Sequence, residues 1–253
     1  MLILWHKCKV MSGKKLKIGL IGYGKMGKTI EKIAIKNGHE VILRISTSNV
    51  LELNAKNLNA LDVAIEFTSP QSAAKNLEIL AQNKVPTVCG STAWLSDYDR
   101  ISKLFLENET PFLYSSNFSV GVNVMFAVNK YLAKLMDNLS EYDISMTESH
   151  HIEKKDAPSG TGVTLAEQII ENIKRKDGWH QDEKDINDKI EISSIRENDV
   201  KGIHEVRYTS SIDEISIRHE AYTREGFAKG SLMAAEFVVG KKGIFSMNDL
   251  LNI

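Results

Sequence analysis

Apolar and polar positions change rhythm about half-way along the chain, and the two rhythms predict two architectures. Up to about residue 118, short apolar runs alternate with stretches of helical period. Lys15–Ile21 (KLKIGLI) reads as a strand. After it, Met26, Ile30, Ile33 and Ala34 fall at spacings of 4, 7 and 8, one face of a helix, and Asn37-Gly38 supplies the stop. Val41–Ile45 is the next strand. Leu61–Phe67, Val85–Val88 and Thr110–Tyr114 repeat the run. Helices lie between them at Gln71–Asn83, built on Ala74, Leu77 and Ala81, and at Ser96–Glu107. Successive strand–helix units demand a Rossmann-type α/β fold, a doubly wound parallel sheet whose ligands sit beyond the carboxyl ends of the strands. Those ends are Thr68, Gly90-Ser91-Thr92 and Ser115-Ser116-Asn117-Phe118, small and polar where a ligand must pass.

Beyond residue 118 the period changes. Asn123–Leu139 is helical, with Val124, Val128, Tyr131, Leu132 and Leu135 on one face. Alternation then takes over: Tyr142, Ile144 and Met146; Ile190 and Ile192; Val206 and Tyr208; Ile215, Ile217, His219 and Ala221. One buried and one exposed face imply a smaller α+β domain with an open mixed sheet, able to face a cavity or a partner subunit. Val163–Lys176 reads as a helix with Val163, Ala166, Ile169, Ile170 and Ile173 on one face, and Lys174-Arg175-Lys176 complementing its C-terminal dipole. The polar stretch Asp177–Asp188 reads as a mobile loop. Residues 228–239 are again helical, and the last segment is expected to return to the first domain. The division is therefore 12–118 with 228–253 for the dinucleotide-type domain and 119–227 for substrate binding and oligomerisation. Residues 1–11 are an appendage, either a misassigned start or a loose arm, because Met1–Val10 is too short in apolar residues for a secretory signal.

Composition narrows the classes. The 253 residues carry 32 Lys and Arg against 33 Asp and Glu, a formal net charge of −1, which argues against a nucleic-acid or anionic-membrane surface. No apolar run approaches the roughly 20 residues of a membrane helix. Two cysteines, Cys8 and Cys89, make no disulfide framework and fit a reducing cytosol. Cys89 at a strand end is either a nucleophile or a small buried thiol.

Gly22-Tyr23-Gly24-Lys25-Met26-Gly27 satisfies G-x-G-x-x-G between a strand and a helix. Gly22 permits the turn, Gly24 lets backbone approach a pyrophosphate, and Gly27 lets helix and strand pack closely, with free N–H groups at the helix end. A dinucleotide site follows. The acid that usually bonds the ribose 2′-hydroxyl is missing, since the second strand ends Arg44-Ile45-Ser46-Thr47-Ser48. Arg44 and the hydroxyls suit a 2′-phosphate, leaning toward NADPH or toward use of both NADH and NADPH; the alternative is a solvated Arg44.

The other chemistry-bearing segment is Glu148-Ser149-His150-His151-Ile152-Glu153-Lys154-Lys155-Asp156-Ala157-Pro158-Ser159-Gly160-Thr161-Gly162. Its Ser-Gly-Thr turn opens a helix, so Ser159–Gly162 offer backbone N–H groups and hydroxyls to a carboxylate or phosphate, with a lysine nearby. Adjacent side chains of an extended segment point to opposite faces, so His150 and His151 do not chelate one metal, and no other spacing suggests zinc. No metal is expected. Proton transfer suits the histidines better; polar surface residues are the alternative.

Together these blocks resemble the 4-hydroxy-tetrahydrodipicolinate reductase (dihydrodipicolinate reductase) family of the diaminopimelate route to lysine, from about Leu16 to the C-terminus. The resemblance rests on Gly22–Gly27, Phe67-Thr68-Ser69-Pro70, Gly90-Ser91-Thr92 and Asn117-Phe118-Ser119-Val120-Gly121-Val122-Asn123. It rests above all on Glu148-x-His150-His151-x-x-Lys154-x-Asp156-Ala157-Pro158-Ser159-Gly160-Thr161, and on Arg224-x-x-Phe227-Ala228-x-Gly230. It implies NADH- or NADPH-dependent reduction of a cyclic imine dicarboxylate by a cytoplasmic homotetramer built through the open sheet. His150 would be the proton donor or acceptor and Lys154 the proton donor. His151, Gly160 and Thr161 would bind substrate, the last two cradling a carboxylate. Gly22–Gly27, Gly90–Thr92 and Ser115–Phe118 would be the cofactor segments. Two departures stand out: a glycine turn one residue shorter than in some relatives, and the missing acid. A dinucleotide-dependent regulator is the rival of another class, but it leaves the clustered acid–base groups unexplained and would bring a basic DNA-binding module. A reductase of another small carboxylate is the rival within the class.

Overall fold

The computed structural model describes residues 14–182 and 188–253; residues 1–13, including the expected appendage and Cys8, and residues 183–187 of the expected loop lie outside them. In chain order the elements are β1 (Lys17–Ile21), α1 (Lys25–Lys36), β2 (Glu40–Ile45), α2 (Ala55–Leu58), β3 (Val63–Glu66), α3 (Pro70–Gln82), β4 (Thr87–Cys89), α4 (Tyr98–Glu107) and β5 (Phe112–Tyr114). Then come α5 (Val120–Met136), β6 (Asp143–His150), α6 (Gly160–Ile170), β7 (Gly178–Gln181), β8 (Lys189–Arg196), β9 (Ile203–Thr209), β10 (Glu214–Glu220), α7 (Glu225–Val238), β11 (Ile244–Phe245) and α8 (Met247–Leu251). The chain forms two compact units. One runs up to Ser115 and takes up Ala228–Leu250; the other is Ser116–Phe227 with Leu251–Ile253. Among the described residues no helix is long and apolar enough to cross a membrane.

The first unit is built on a six-stranded sheet in the order β11-β5-β4-β3-β1-β2, parallel throughout. Its central strands are buried on both faces, which is why Val63–Ile65 and Ile18–Ile21 read as continuous apolar runs rather than as alternation. The C-terminal segment does return here: β11 pairs with β5 and supplies the sixth strand.

The second unit is built on a mixed sheet in the order β10-β9-β6-β8-β7, antiparallel across β10, β9 and β6 and parallel across β6, β8 and β7. Ile144, Met146, Ile190, Ile192, Val206 and Tyr208 form its apolar face, buried in one core with residues of α5 and α6. Along this face the register lines up successive cross-strand rows. Met146 faces Val206 and Ile192; two residues on, Glu148 faces His204 and Ser194, and His204 in turn faces His219. The inward face thus turns from apolar to polar at one end of the sheet.

Three expectations are corrected. The apolar stripe chosen for α5 is the wrong one: Val124, Val128, Tyr131 and Leu135 are exposed, at 45, 45, 66 and 55%, while Val122, Met125, Asn129, Ala133 and Met136 are buried. The helix is apolar almost all round, and polar Asn129 goes inward because its amide donates to Leu165 O at 3.0 Å and Gln168 Oε1 at 3.1 Å. Next, α6 stops at Ile170, so Lys174-Arg175-Lys176 does not cap it. Arg175 instead donates to Met136 O and Asp137 O at the end of α5, and Lys176 is buried with its ammonium on Lys189 O at 3.0 Å. Finally, part of the expected mobile loop is strand β7, paired with β8.

Candidate active site

In the first unit, β1 leads into a turn that only glycine can make. Gly22 has φ +103°, and a Cβ on it would lie 2.0 Å from the Phe67 carbonyl oxygen. A Cβ on Gly27, within α1, would lie 2.5 Å from the Gly22 carbonyl oxygen, whereas Gly24 opens onto free space. Gly24 is also the N-cap of α1; no side chain caps that end and no acid sits in its first turn, so its N–H groups and partial positive charge stay available to an anion. Beside this helix end lies a cavity of about 560 Å³ lined by Gly22, Tyr23 and Gly24, by Ile45 at the end of β2 with Ser46 and Thr47 beyond it, and by Phe67, Thr68 and Ser69 after β3. Its cationic lining residue is Lys75, and no acidic residue lines it.

The structure disperses the other cofactor candidates. Lys25, Met26 and Gly27 form the first turn of α1. Arg44 does not line the cavity: Glu31 accepts its Nε at 2.7 Å and also takes the Tyr23 hydroxyl. Gly90 and Ser91 follow β4, where a Cβ on Gly90 would strike the Phe67 ring and Ser91 Oγ accepts the Thr68 N–H at 2.7 Å. Thr92 is exposed in the same loop. Ser115 ends the segment in this unit and donates its N–H to Cys89 O. Sequence reasoning missed Glu66, a fully buried carboxylate beneath this turn. It accepts from the Thr68 N–H and hydroxyl and, at 3.2 Å, from the Cys89 thiol. Burial and the Glu66 charge push the Cys89 thiol well above its ordinary value, so it is a structural thiol, not a nucleophile.

In the second unit the chemistry gathers at the polar end of the mixed sheet. β6 carries Glu148 and His150 two residues apart, on one face. Glu148 is 1% exposed and accepts from the Ser159 N–H (3.0 and 2.9 Å), the Ser159 hydroxyl, Ser194 Oγ (3.1 Å) and Arg196 Nη2 (3.3 Å). Burial opposes its charge, but Ser159 and the two histidines outweigh that and hold the carboxyl below its ordinary range. It thereby anchors Ser159, the N-cap of α6, whose Oγ accepts the Gly162 N–H at 3.1 Å. Gly162 has to be small, because its Cβ would lie 2.7 Å from Glu148 Oε2. The Gly160 and Thr161 N–H groups have no partner among the described residues, and Asn117 Nδ2 donates to Thr161 Oγ1 at 3.3 Å. Ser116, Asn117 and Phe118 therefore belong with this unit, where Asn117 Oδ1 also takes the Ser119 N–H at 2.9 Å.

His150 Nε2 lies 3.2 Å from His204 Nε2, which lies 3.1 Å from Ser159 Oγ. Burial lowers the pKa of His150 to about 4, with Lys154 and Arg196 opposing its charge and Glu148 favouring it. Burial and the neighbouring His150 lower that of His204 to about 3. Both are neutral near pH 7. His151, just past β6, is half-buried and its Nδ1 has no partner. Lys154 Nζ donates to both Asp156 oxygens at 2.8 Å. The ligand atoms of Glu148, His150 and His204 come within 4.8 Å of one another, a grouping that linear spacing hid. Within the cluster the two histidines hydrogen-bond each other and Ser159 donates to Glu148 Oε2, while the Arg196 guanidinium pairs with the other carboxylate oxygen, Oε1. The sequence named His150, His151, Lys154, Gly160 and Thr161; it missed Glu148 as an anchor and missed His204, Ser194 and Arg196 altogether. The signal was there in the alternation, where polar residues replace apolar ones at inward positions of three neighbouring strands.

Two family models match nearly the whole described chain: "Dihydrodipicolinate reductase, N-terminus" over residues 16–118 and "Dihydrodipicolinate reductase, C-terminus" over 121–251. The chain belongs to the dihydrodipicolinate reductase family. A relative from Christiangramia forsetii, named 4-hydroxy-tetrahydrodipicolinate reductase, is 43% identical over 94% of this chain and 98% of its own length. One of the same name from Archaeoglobus fulgidus is 34% identical over 90 and 96%. The fold agrees with a dipicolinate-bound dihydrodipicolinate reductase from Paenisporosarcina sp. TG-14, at TM-score 0.74 and 22% identity over 92% of this chain and 98% of that one. An amine dehydrogenase from Mycobacterium smegmatis also shares the fold, at TM-score 0.59 and 12% identity over 92 and 95%. Architecture is thus common to several dehydrogenases, and membership of the dihydrodipicolinate reductases rests on the sequence matches.

Proposed function

We propose that the chain is an NAD(P)H-dependent 4-hydroxy-tetrahydrodipicolinate reductase that forms tetrahydrodipicolinate in the diaminopimelate route to lysine. The observation that carries this reading is the α6 N-terminus, where unpaired Gly160 and Thr161 N–H groups stand with His150 and Lys154 in one folded block, in a chain 43% identical to a reductase of that name. The bare end of α1, the open face of Gly24 and the adjoining cavity fit a dinucleotide pyrophosphate. Bound there, a reduced nicotinamide supplies the hydride.

The remaining work falls to the second unit. Gly160 and Thr161 N–H groups take one ring carboxylate, with the α6 dipole behind them. His151 and Lys154 complete the anion site. Once the 4-hydroxyl has left as water, the ring presents a C=C–C=N system; hydride at C4 makes an enamine that must gain a proton. Lys154 donates it, and His150 is the second acid–base group. For Lys154 to reach the ring, its ammonium exchanges Asp156 for the substrate. Gly22–Gly27, Gly90–Thr92 and Ser115–Phe118 are assigned to the cofactor by family resemblance. The same resemblance gives a cytoplasmic homotetramer, with no nucleic acid or membrane as partner.

The test is reduction of the enzymatically generated substrate with NADH and NADPH side by side. Turnover is expected with at least one; none with either overturns the reading. Lys154→Ala should cut kcat by about 10²–10⁴, the range for a positioned proton donor, with cofactor Kd unchanged. Equal turnover would remove Lys154 from the mechanism.

A further inference from the structure

His204 enters none of the motifs above, yet it is 5% exposed and sits between the α6 cap and His150. The proton positions follow from which neighbours can only accept. The Ser159 hydroxyl has one proton, and its shortest bond is to Glu148 Oε2, an ionised carboxylate that only accepts. Ser159 Oγ therefore acts as acceptor toward the Gly162 N–H and toward His204 Nε2. His204 Nε2 must then carry the proton. A neutral imidazole has a single N–H, so His204 Nδ1 is bare, in keeping with its having no partner in a buried position. The same Nε2–H lies 3.2 Å from His150 Nε2, which faces it as a lone pair. Were the direction reversed, His204 Nε2 would be an acceptor, and the Ser159 hydroxyl would have to serve both it and Glu148 with one proton.

We infer that His204 is a positioning residue, locked by the Glu148–Ser159 pair, that holds His150 as its Nδ1–H tautomer with Nε2 engaged. His150 then offers its Nδ1–H to substrate as a hydrogen-bond donor, at the ring edge next to Gly202, where a Cβ would lie 3.5 Å from Nδ1 and 3.2 Å from Cε1. A second proton on His150 Nε2 would confront the His204 N–H, so His150 ionises only if His204 moves its proton to Nδ1. The charged and titratable groups facing the pair are Glu148 on β6, Lys154 and Asp156 on the following loop, Arg196 on β8 and His219 on β10. The inference deepens the reductase reading and rests on it for the role of His150, but the tautomer itself can be measured without substrate.

The experiment is side-chain ¹⁵N NMR of the full chain labelled at histidine, at pH 7, with His150 assigned by loss of its signals in His150→Gln. The wild type is expected to show His150 protonated at Nδ1 and His204 at Nε2; His150 protonated at Nε2 overturns the inference, whatever the activity. In His204→Phe, which keeps the bulk and removes the donor, His150 should shift toward Nε2–H. Its pKa should rise toward the ordinary value, and kcat should fall tenfold or more with KM for substrate and cofactor within about threefold. His204→Gln, whose amide can still donate, should recover part of kcat and of the Nδ1–H population. A folded His204→Phe with unchanged tautomer and pH profile refutes the role. If that variant does not fold, the wild-type spectrum and His204→Gln decide. Absence of reductase activity in a wild type with the expected tautomers would sink the function and leave the hydrogen-bond assignment standing.

Discussion

The two units each offer a helix N-terminus to an anion, and they prepare it in opposite ways. At α1 the preparation is subtraction: the cap is glycine, no side chain takes an N–H and no acid occupies the first turn. Backbone alone meets the ligand, and the neighbouring constraints are steric, with Gly22 against Phe67 O and Gly27 against Gly22 O. At α6 the preparation is addition: Ser159 caps, Glu148 anchors Ser159 from below, and Ser194, Arg196 and His204 complete the support. Two N–H groups are left for a ligand, one is used to fix the turn, and acid–base groups are held beside it. The contrast fits what each end is proposed to do. A pyrophosphate needs only close approach and positive potential, whereas a substrate that must be protonated needs groups held in defined geometry and charge state.

That contrast can be broken most forcefully at Glu148. Glu148→Ala would strand the Ser159 N–H and two hydroxyls, and would take from Arg196 its carboxylate partner, in a site where the carboxylate is 1% exposed. Removing one partner of such a buried charged network costs on the order of 3–5 kcal/mol, to be read from urea denaturation of the full chain. Loss of less than about 1 kcal/mol would mean that the α6 end does not depend on its anchor. At the α1 end the corresponding pair is Gly27→Ala and Gly24→Ala. The first forces a methyl against backbone and should lose about 1–3 kcal/mol. The second meets free space, so stability should hold while dinucleotide Kd rises about tenfold. If both variants lost stability alike, the α1 end would be a packing feature and not a prepared surface.

Acid should also separate the two ends. His150 and His204 titrate at about 4 and 3 when folded, below their ordinary 6.5. The unfolded chain therefore binds more protons between those values and 6.5. The stability contributed by the neutral rings is full above pH 6.5 and drains away as pH falls toward 4 and 3. Glu148, held below its ordinary value, adds a loss of the same sign at lower pH. The α1 cavity has no acidic lining residue and no histidine, so nothing comparable is expected there. Unfolding free energies from urea denaturation between pH 7 and 4.5 should fall by on the order of 1 kcal/mol per pH unit in the wild type, with a shallower slope in His204→Phe. A slope equal in both would place the acid sensitivity elsewhere.

The same asymmetry explains what could be read from the chain beforehand. The α1 end is local: strand, turn, helix and strand lie within residues 17–45, and each glycine's duty is set by atoms close in sequence or on the adjoining strand. The α6 end was legible only where it is contiguous, from Glu148 to Thr161. His204, Ser194 and Arg196 reach it through strand pairing, 46 to 56 residues from Glu148, and single-sequence periodicity has no term for register. The exposed stripe of α5 failed for a related reason. A helix apolar on most sides does not declare its inner face, and what decided it was the buried amide of Asn129 bonding to a helix 36 residues on.

The smallest effect expected concerns Arg44, which the sequence offers as a receptor for a 2′-phosphate. In the structure its guanidinium is claimed by Glu31 through Nε and Nη2 and lies 5.9 Å from the Tyr23 ring centre, while Ser46 and Thr47 line the cavity. A partly exposed ion pair of this kind is worth up to about 1 kcal/mol, so breaking it should perturb the turn little. Arg44→Gln is therefore expected to change the ratio of kcat/KM for NADPH over NADH by less than about threefold. A selective tenfold loss with NADPH would show the guanidinium leaving Glu31 to meet the phosphate. In that case the α1 end would recruit a side chain as the α6 end does, and the division between a bare and a built anion site would fail at the cofactor's ribose.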